Sequence, residues 1–186
     1  MSLRSSFRTV RPARAEVVGA RPGDEVVARP DLSMDRAFTL AAPPEVVWPW
    51  LVQLGKDRAG WYLPASVERF LPRARRATRR IEPRWQGLAA GDVIPDWGGR
   101  DATFEVASIE PDRSLVYRSR RGRMQISWAL TLSSTTSGES TRVHLRLRAA
   151  PVRRAWLGRI GDRFDLVTVA GLAAGLAERL EETRPA

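Results

Sequence analysis

The sequence predicts an α+β fold: an antiparallel sheet with one face covered by one long C-terminal helix. Three observations predict it. From Gly91 to Ala149 the apolar residues recur with period two, and the connections between runs are only a few residues long. From about Gly161 to Glu182 the pattern becomes helical and stays so for longer than any earlier segment. Nothing else in the 186-residue chain is large enough to cover one face of such a sheet.

Residues 1–34 read as a largely extended basic arm, with turns at Arg11-Pro12, Arg21-Pro22-Gly23 and Arg29-Pro30 and at most a short strand at Glu25–Ala28. A domain of residues 35–184 follows. "DRAFTL" (35–40) alternates and suits a first strand. "AAPPE" then opens a helix: Pro43 and Pro44 stand where a missing N–H costs nothing, and Glu45 suits the positive end of the dipole. The helix should run to about Leu54 and stop at Gly55, with Pro49 inside it removing one backbone bond. A second short helix is predicted in "PASVERFL", between Pro64 and Pro72. Residues 73–90 have no clear period. Strands are predicted at about 91–95, 102–110, 114–120, 123–133 and 141–149, separated by "WGGRD", "EPDR", "RRGR" and "STTSGES". The last helical segment carries Gly158 and Gly161 as candidate breaks.

The strands assign faces. Met124, Ile126, Trp128, Leu130 and Leu132 share one face of their strand, as Val143, Leu145 and Leu147 do on the last. Arg142, His144, Arg146 and Arg148 fall on the opposite face, so His144 is read as a solvated strand residue beside arginines. In "FDLVTVAGLAAGLAERL" apolar residues surround most of the helix, and many are small. Two readings stay open: close backbone contact with the sheet or a partner helix, or a cavity between helix and sheet.

Composition excludes several chemistries. The chain has no cysteine and one histidine, which removes disulfides, thiol nucleophiles and His- or Cys-based metal sites. No metal and no cofactor is expected, and no apolar run approaches the roughly 20 residues of a membrane span. A cytoplasmic protein is the expectation. The net charge of +10 is almost all arginine, since Lys56 is the only lysine. Genomic bias toward arginine and attraction to anions both account for it.

Several phrases together resemble one family: "GDEVV" (23–27), "APPEVVWPWLVQLGKDRAGWY" (42–62), "IEPRWQGLAAGDVIPDWGG" (81–99), "FEVASIEPDRSLVY" (104–117), "SWALTL" (127–132) and "TRVHLRLR" (141–148). In order and spacing they resemble the polyketide cyclase/dehydrase-like branch of the SRPBCC superfamily, over about residues 23–182. The resemblance implies the helix-grip fold, a curved antiparallel sheet wrapped around the long C-terminal helix, with two short helices closing one end and a deep apolar cavity between sheet and helix. Where relatives commonly read "GWYSYD" this chain has "GWYLPA", so Leu63 and Pro64 replace a polar pair.

The function expected is binding of a hydrophobic small molecule, such as a lipid, polyketide or isoprenoid metabolite, in that cavity. The expected ligand contacts are Trp61, Tyr62, Trp85, Trp97, Phe104, Tyr117, Met124, Trp128 and Phe164. Trp61 and Tyr62 enter because they sit at a turn, Trp85 and Trp97 because they sit in loops. The alternative is a cyclase or dehydratase, whose aldol closure and loss of water would need a general acid or base. Asp96, Asp101 and Tyr117 are the candidates, with Arg100 beside them. A third class is surface binding to anionic partners through Arg118, Arg120, Arg142, Arg146 and Arg148, or peripheral membrane contact through "VRRAWLGRIGDRF". Nucleic acid is the weakest of these, because no aromatic residue interleaves the strand arginines. A monomer and a homodimer both fit.

Overall fold

The computed structural model describes residues 10–136, 138–152 and 155–183, and for 155–161 the backbone alone. In chain order the elements are α1 (Arg14–Val18), β1 (Leu32–Leu40), α2 (Pro44–Gln53), α3 (Ala65–Glu68), β2 (Val93–Pro95), β3 (Thr103–Glu110), β4 (Ser114–Arg121), β5 (Met124–Ser134), β6 (Thr141–Ala150) and α4 (Ala155–Glu182). The strands form one antiparallel sheet in the order β1-β6-β5-β4-β3-β2, so the expected meander is closed at one edge by the first strand. The helix α2 runs through Pro49, and α4 runs through Gly158 and Gly161 without interruption. The second short helix keeps only Ala65–Glu68 of the expected segment. The segment "VRRAWLGRIGDRF" falls largely outside the described side chains.

The core lies between the concave sheet face and α4. Phe38, Leu115, Leu130, Val143 and Leu145 face Leu172 and Leu176 of the helix, and all are buried. The small residues of α4 have a specific use. A Cβ at Gly175 would stand 2.7 Å from the backbone of Tyr62 and Leu63, and one at Gly171 would stand 2.6 Å from Leu63 Cδ2. The helix therefore receives the turn after α2, neither the sheet nor a second helix. Arg179 of α4 locks that contact. It is fully buried and donates to Glu68 at 2.7 Å and to the carbonyls of Leu63, Thr78 and Gly175.

The opposite face of the sheet is not wet. The phase of β6 is the expected one, but His144 and Arg146 are only 3% and 5% exposed, which corrects the reading of a solvated face. The cover is the arm. Its predicted strand at Glu25–Ala28 is absent, and residues 14–27 form α1 and a series of turns. Gly23, at φ 87°, presses so close that a Cβ there would meet Val116 Cγ1 at 2.6 Å, and Val27 is buried. Val10 accepts a hydrogen bond from the Ala37 amide, occupying the free edge of β1.

Arg146 is the hub of this second layer. Its Nε donates to Asp35 at 2.7 Å, Nη1 to Asp24 at 2.9 Å and to the Gly19 carbonyl, and Nη2 to the carbonyls of Glu16 and Val17. Those carbonyls are the unpaired C-terminal end of α1, where a cation is favoured. Arg142 forms a bidentate pair with Glu16, and Arg148 reaches Asp24. His144 Nε2 lies 3.0 Å from Asp35. Of the strand arginines expected to face an anionic partner, Arg142, Arg146 and Arg148 are thus spent on the protein itself, Arg118 is paired with Glu105, and Arg120 is exposed.

Candidate functional site

On the concave face beside α4, Met34, Trp61, Trp128 and Leu147 are only half-buried. Rings from five places in the chain meet there. Trp128 of β5 stacks on Tyr117 of β4 at 5.5 Å and on Trp61 at 6.1 Å. Phe104 of β3 packs against both Tyr117 and Trp128 at 6.0 Å. Trp97, from the β2–β3 loop, meets the face of Trp61 edge-on at 5.9 Å. Strand alternation explains the convergence: Phe104, Tyr117 and Trp128 are on the same side of three neighbouring strands, and Tyr117 pairs directly with Trp128. Trp61 is fixed from the other side, its indole N–H donating to the Thr168 carbonyl of α4 at 3.0 Å.

Five of the nine expected ligand contacts are therefore one cluster. Met124 sits two repeats of the strand pattern from Trp128 on the same face, half-buried. The other three are placed elsewhere. Tyr62 is fully buried: its hydroxyl donates to the Trp50 carbonyl and accepts from Gln53, so it belongs to the scaffold. Trp85 lies in the 3-10 turn Pro83–Trp85 under the Arg84 guanidinium, and no ring contact joins it to the cluster among the described residues. Phe164 is 71% exposed on the outer side of α4, which corrects its assignment to the interior. The apolar residues of α4 run around the helix, so their period could not say which side faces the sheet.

The catalytic candidates fare differently again. Asp96 is ion-paired with Arg121, and its other oxygen accepts the Trp97 amide at 2.7 Å. It shapes the loop that carries Trp97. Asp101 and Arg100 are exposed in that loop. Burial pushes the Tyr117 phenol far up, so it stays protonated near neutrality. Burial does the same to Tyr62. No group of residues that could hold a metal ion occurs among the described residues, and no described helix is long and apolar enough to cross a membrane.

A charged pair missed by sequence reasoning stands at the β1 side of the same face. Arg36 alternates with Asp35 and so points inward, where it donates to the carbonyl and carboxylate of Asp162 on α4. Its Nε lies 3.0 Å from Asp165 Oδ2 but is not aligned to donate to it, and this buried N–H has no hydrogen-bond partner. Burial raises the Asp165 carboxyl to about 6; Arg36 offsets part of this and Asp162 adds to it. The signal was present in "DRAFTL", where Arg36 is in phase with Phe38 and Leu40.

No family model and no curated protein matches the chain. Solved structures do. Protein MLL2253 from Mesorhizobium loti superposes with a TM-score of 0.50 at 17% identity, covering 82% of this chain and 99% of that one. The chain has the helix-grip fold. A Rhodobacter sphaeroides protein matches equally, with a TM-score of 0.50 at 17% identity over 81% of this chain and 94% of its own. DynU16, a protein of the dynemicin biosynthetic locus, gives 0.50 at 19% identity over 84% of this chain, which spans about half (49%) of DynU16. At these identities the likeness is one of fold.

Proposed function

We propose that this helix-grip protein binds a hydrophobic small molecule between the concave sheet face and the N-terminal half of α4. Trp61, Trp97, Phe104, Tyr117 and Trp128 form the aromatic wall of the site. The observation that carries the reading is their convergence from five separate segments onto a face whose outer members stay half-exposed. Packing for stability alone favours full burial, as at Trp50 and Leu130. Aromatic walls with few polar groups suit a flat, apolar or polycyclic ligand. The resemblance to the polyketide cyclase/dehydrase-like branch and the biosynthetic locus of DynU16 support the same ligand class.

N-Phenyl-1-naphthylamine should fluoresce with the folded protein, and Trp128→Ala should weaken its binding about tenfold or more, since stacked aromatic contacts are worth roughly this much beyond area. Native mass spectrometry of the purified protein should show a co-purified small molecule. Dye binding that appears only on partial unfolding overturns the reading. A second reading, turnover of the ligand by acid–base chemistry, is favoured by the placement of Asp165 beside Arg36 at this face, where burial raises its carboxyl to about 6.

A further inference from the structure

We propose that Arg36 and Asp165 form the polar end of this site, and that it selects ligands carrying an acidic group, such as a carboxylate or enolate, at one end of an aromatic body. The inference rests on the ligand-binding reading above and names the substrate class of that site.

The placement comes from strand register. Trp128 pairs with Leu147, and Leu147 pairs with Met34. These three inward residues form a row across β5, β6 and β1, and each is only half-buried. Arg36 is the next inward position after Met34. The row spans two inter-strand steps, about 10 Å, so a ligand of two or three rings laid along it would reach from the aromatic wall to the guanidinium.

One donor at that end has an ion-pair neighbour but no aligned acceptor. Nη1 of Arg36 donates to the Asp35 carbonyl and Nη2 to Asp162, so two corners of the guanidinium are fixed. The third, Nε–H, is buried and faces Asp165 without a hydrogen bond. An unpaired N–H next to a carboxylate that holds it poorly is a place for a better acceptor. An anionic ligand group would take Nε, and Asp165 would swing aside or accept a proton and donate to the same anion. Arg36 from β1 and Asp162 one turn earlier on α4 are the charged groups that face Asp165 among the described residues. Because the carboxyl is already raised toward 6, protonating it near neutral pH is inexpensive, and binding of the anion should be coupled to proton uptake.

Two probes with the same rings separate the anchor from the wall. N-Phenyl-1-naphthylamine is neutral, and 1-anilinonaphthalene-8-sulfonate adds one permanent anion. The wild type should bind the sulfonate about tenfold or more tighter at pH 6, the yield of one charge-assisted bond. Its affinity should rise several-fold from pH 7.5 to 5.5, while the neutral probe stays flat. Arg36→Gln should abolish the preference and leave the neutral probe within about twofold, which also reports that the fold is intact. Asp165→Asn should keep the preference and lose its pH dependence. Arg120→Gln, an exposed arginine of β4, controls for general attraction to a basic surface and should change neither. Equal binding of the two probes, or a preference that survives Arg36→Gln, overturns the anchor and spares the cleft. Absence of binding by both probes overturns the cleft and the anchor with it.

Discussion

Replacing Arg146 by methionine tests the layer that covers the convex face. The side chain is 6% exposed and makes hydrogen bonds to two carboxylates and three carbonyls, all but one of which lie in the arm. Methionine keeps much of the volume and none of the donors. If the arm stays down, Asp35, itself buried, keeps His144 and a long bond from the Ser33 hydroxyl but loses its guanidinium, and breaking a buried ion pair in this way costs about 3–5 kcal/mol. If the arm lifts, water relieves Asp35, and the loss becomes the docking energy of the arm. That energy includes the burial of Val10 and Val27 at about 1.5–3 kcal/mol each. Both routes give a loss of at least about 2 kcal/mol in urea unfolding. They differ in a second reading. A lifted arm lets the chain around Arg14, Arg21 and Arg29 unfold into the trypsin site while the domain stays native, and it lowers the m-value, because less surface remains to be exposed. A loss under about 1 kcal/mol with the arm still protected would refute the assignment of Arg146 as its anchor.

Gly175→Ala should destabilise by about 2 kcal/mol or more in the same assay, since its methyl meets backbone at 2.7 Å, whereas Gly171→Ala meets a movable Leu63 methyl and should cost less. Arg179→Lys should cost more than Arg120→Lys by several kcal/mol, because lysine cannot serve five directions from a fully buried position. The Arg142 hydrogen bonds hold the Glu16 carboxyl down at about 2, against burial, which pushes it up. Its contribution is therefore complete above the ordinary carboxylate pKa and is lost as pH falls toward 2; hydrogen exchange should show residues 14–27 opening in that window before the sheet does. Asp165 has the opposite sign. With the carboxyl raised from 3.8 to about 6, the fold favours its neutral form, so wild type gains on Asp165→Asn as pH falls from 7.5 toward 4, by up to about 3 kcal/mol. A gap that stays constant over this range would show the raised value to be wrong.

Strand positions were legible in the sequence because alternation is a local property. Every strand expected from 91 onward is present within about two residues, and β6 has the expected inner and outer residues. Alternation says which residues share a face and nothing about what covers it. The cover of the convex face is the arm, whose turns have no period, so His144, Arg142, Arg146 and Arg148 read as solvated. The candidate site divides in the same way. Phe104, Tyr117 and Trp128 could be placed together because strand phase fixes them, and Trp61 because it follows a helix end. Phe164 could not, since a helix apolar on most sides has no legible orientation. Tyr62 failed for a different reason. Its neighbour Trp61 turns toward the sheet, and the pair Gly171 and Gly175 lets the Tyr62–Leu63 backbone sink against α4 instead.

The arginines have a structural use that composition alone could not show. Arg36, Arg58, Arg142, Arg146, Arg148 and Arg179 each donate to backbone carbonyls or carboxylates of another segment. A guanidinium can bind several acceptors at once in a fixed plane, and these six do so where loops, arm and helix ends present unpaired carbonyls. The chain has long irregular stretches at 10–31 and 55–90, whose backbone groups lack the regular pairing of a helix or sheet. Arginine supplies the missing donors from the neighbouring strands and from α4. Much of the positive charge is then structural. Arg36, Arg58 and Arg148 each also keep a buried Nε–H without an aligned acceptor, and of these Arg36 is the one next to the half-buried inward row Trp128, Leu147 and Met34. That position, rather than the overall charge, is why Arg36 is the arginine proposed to meet a ligand.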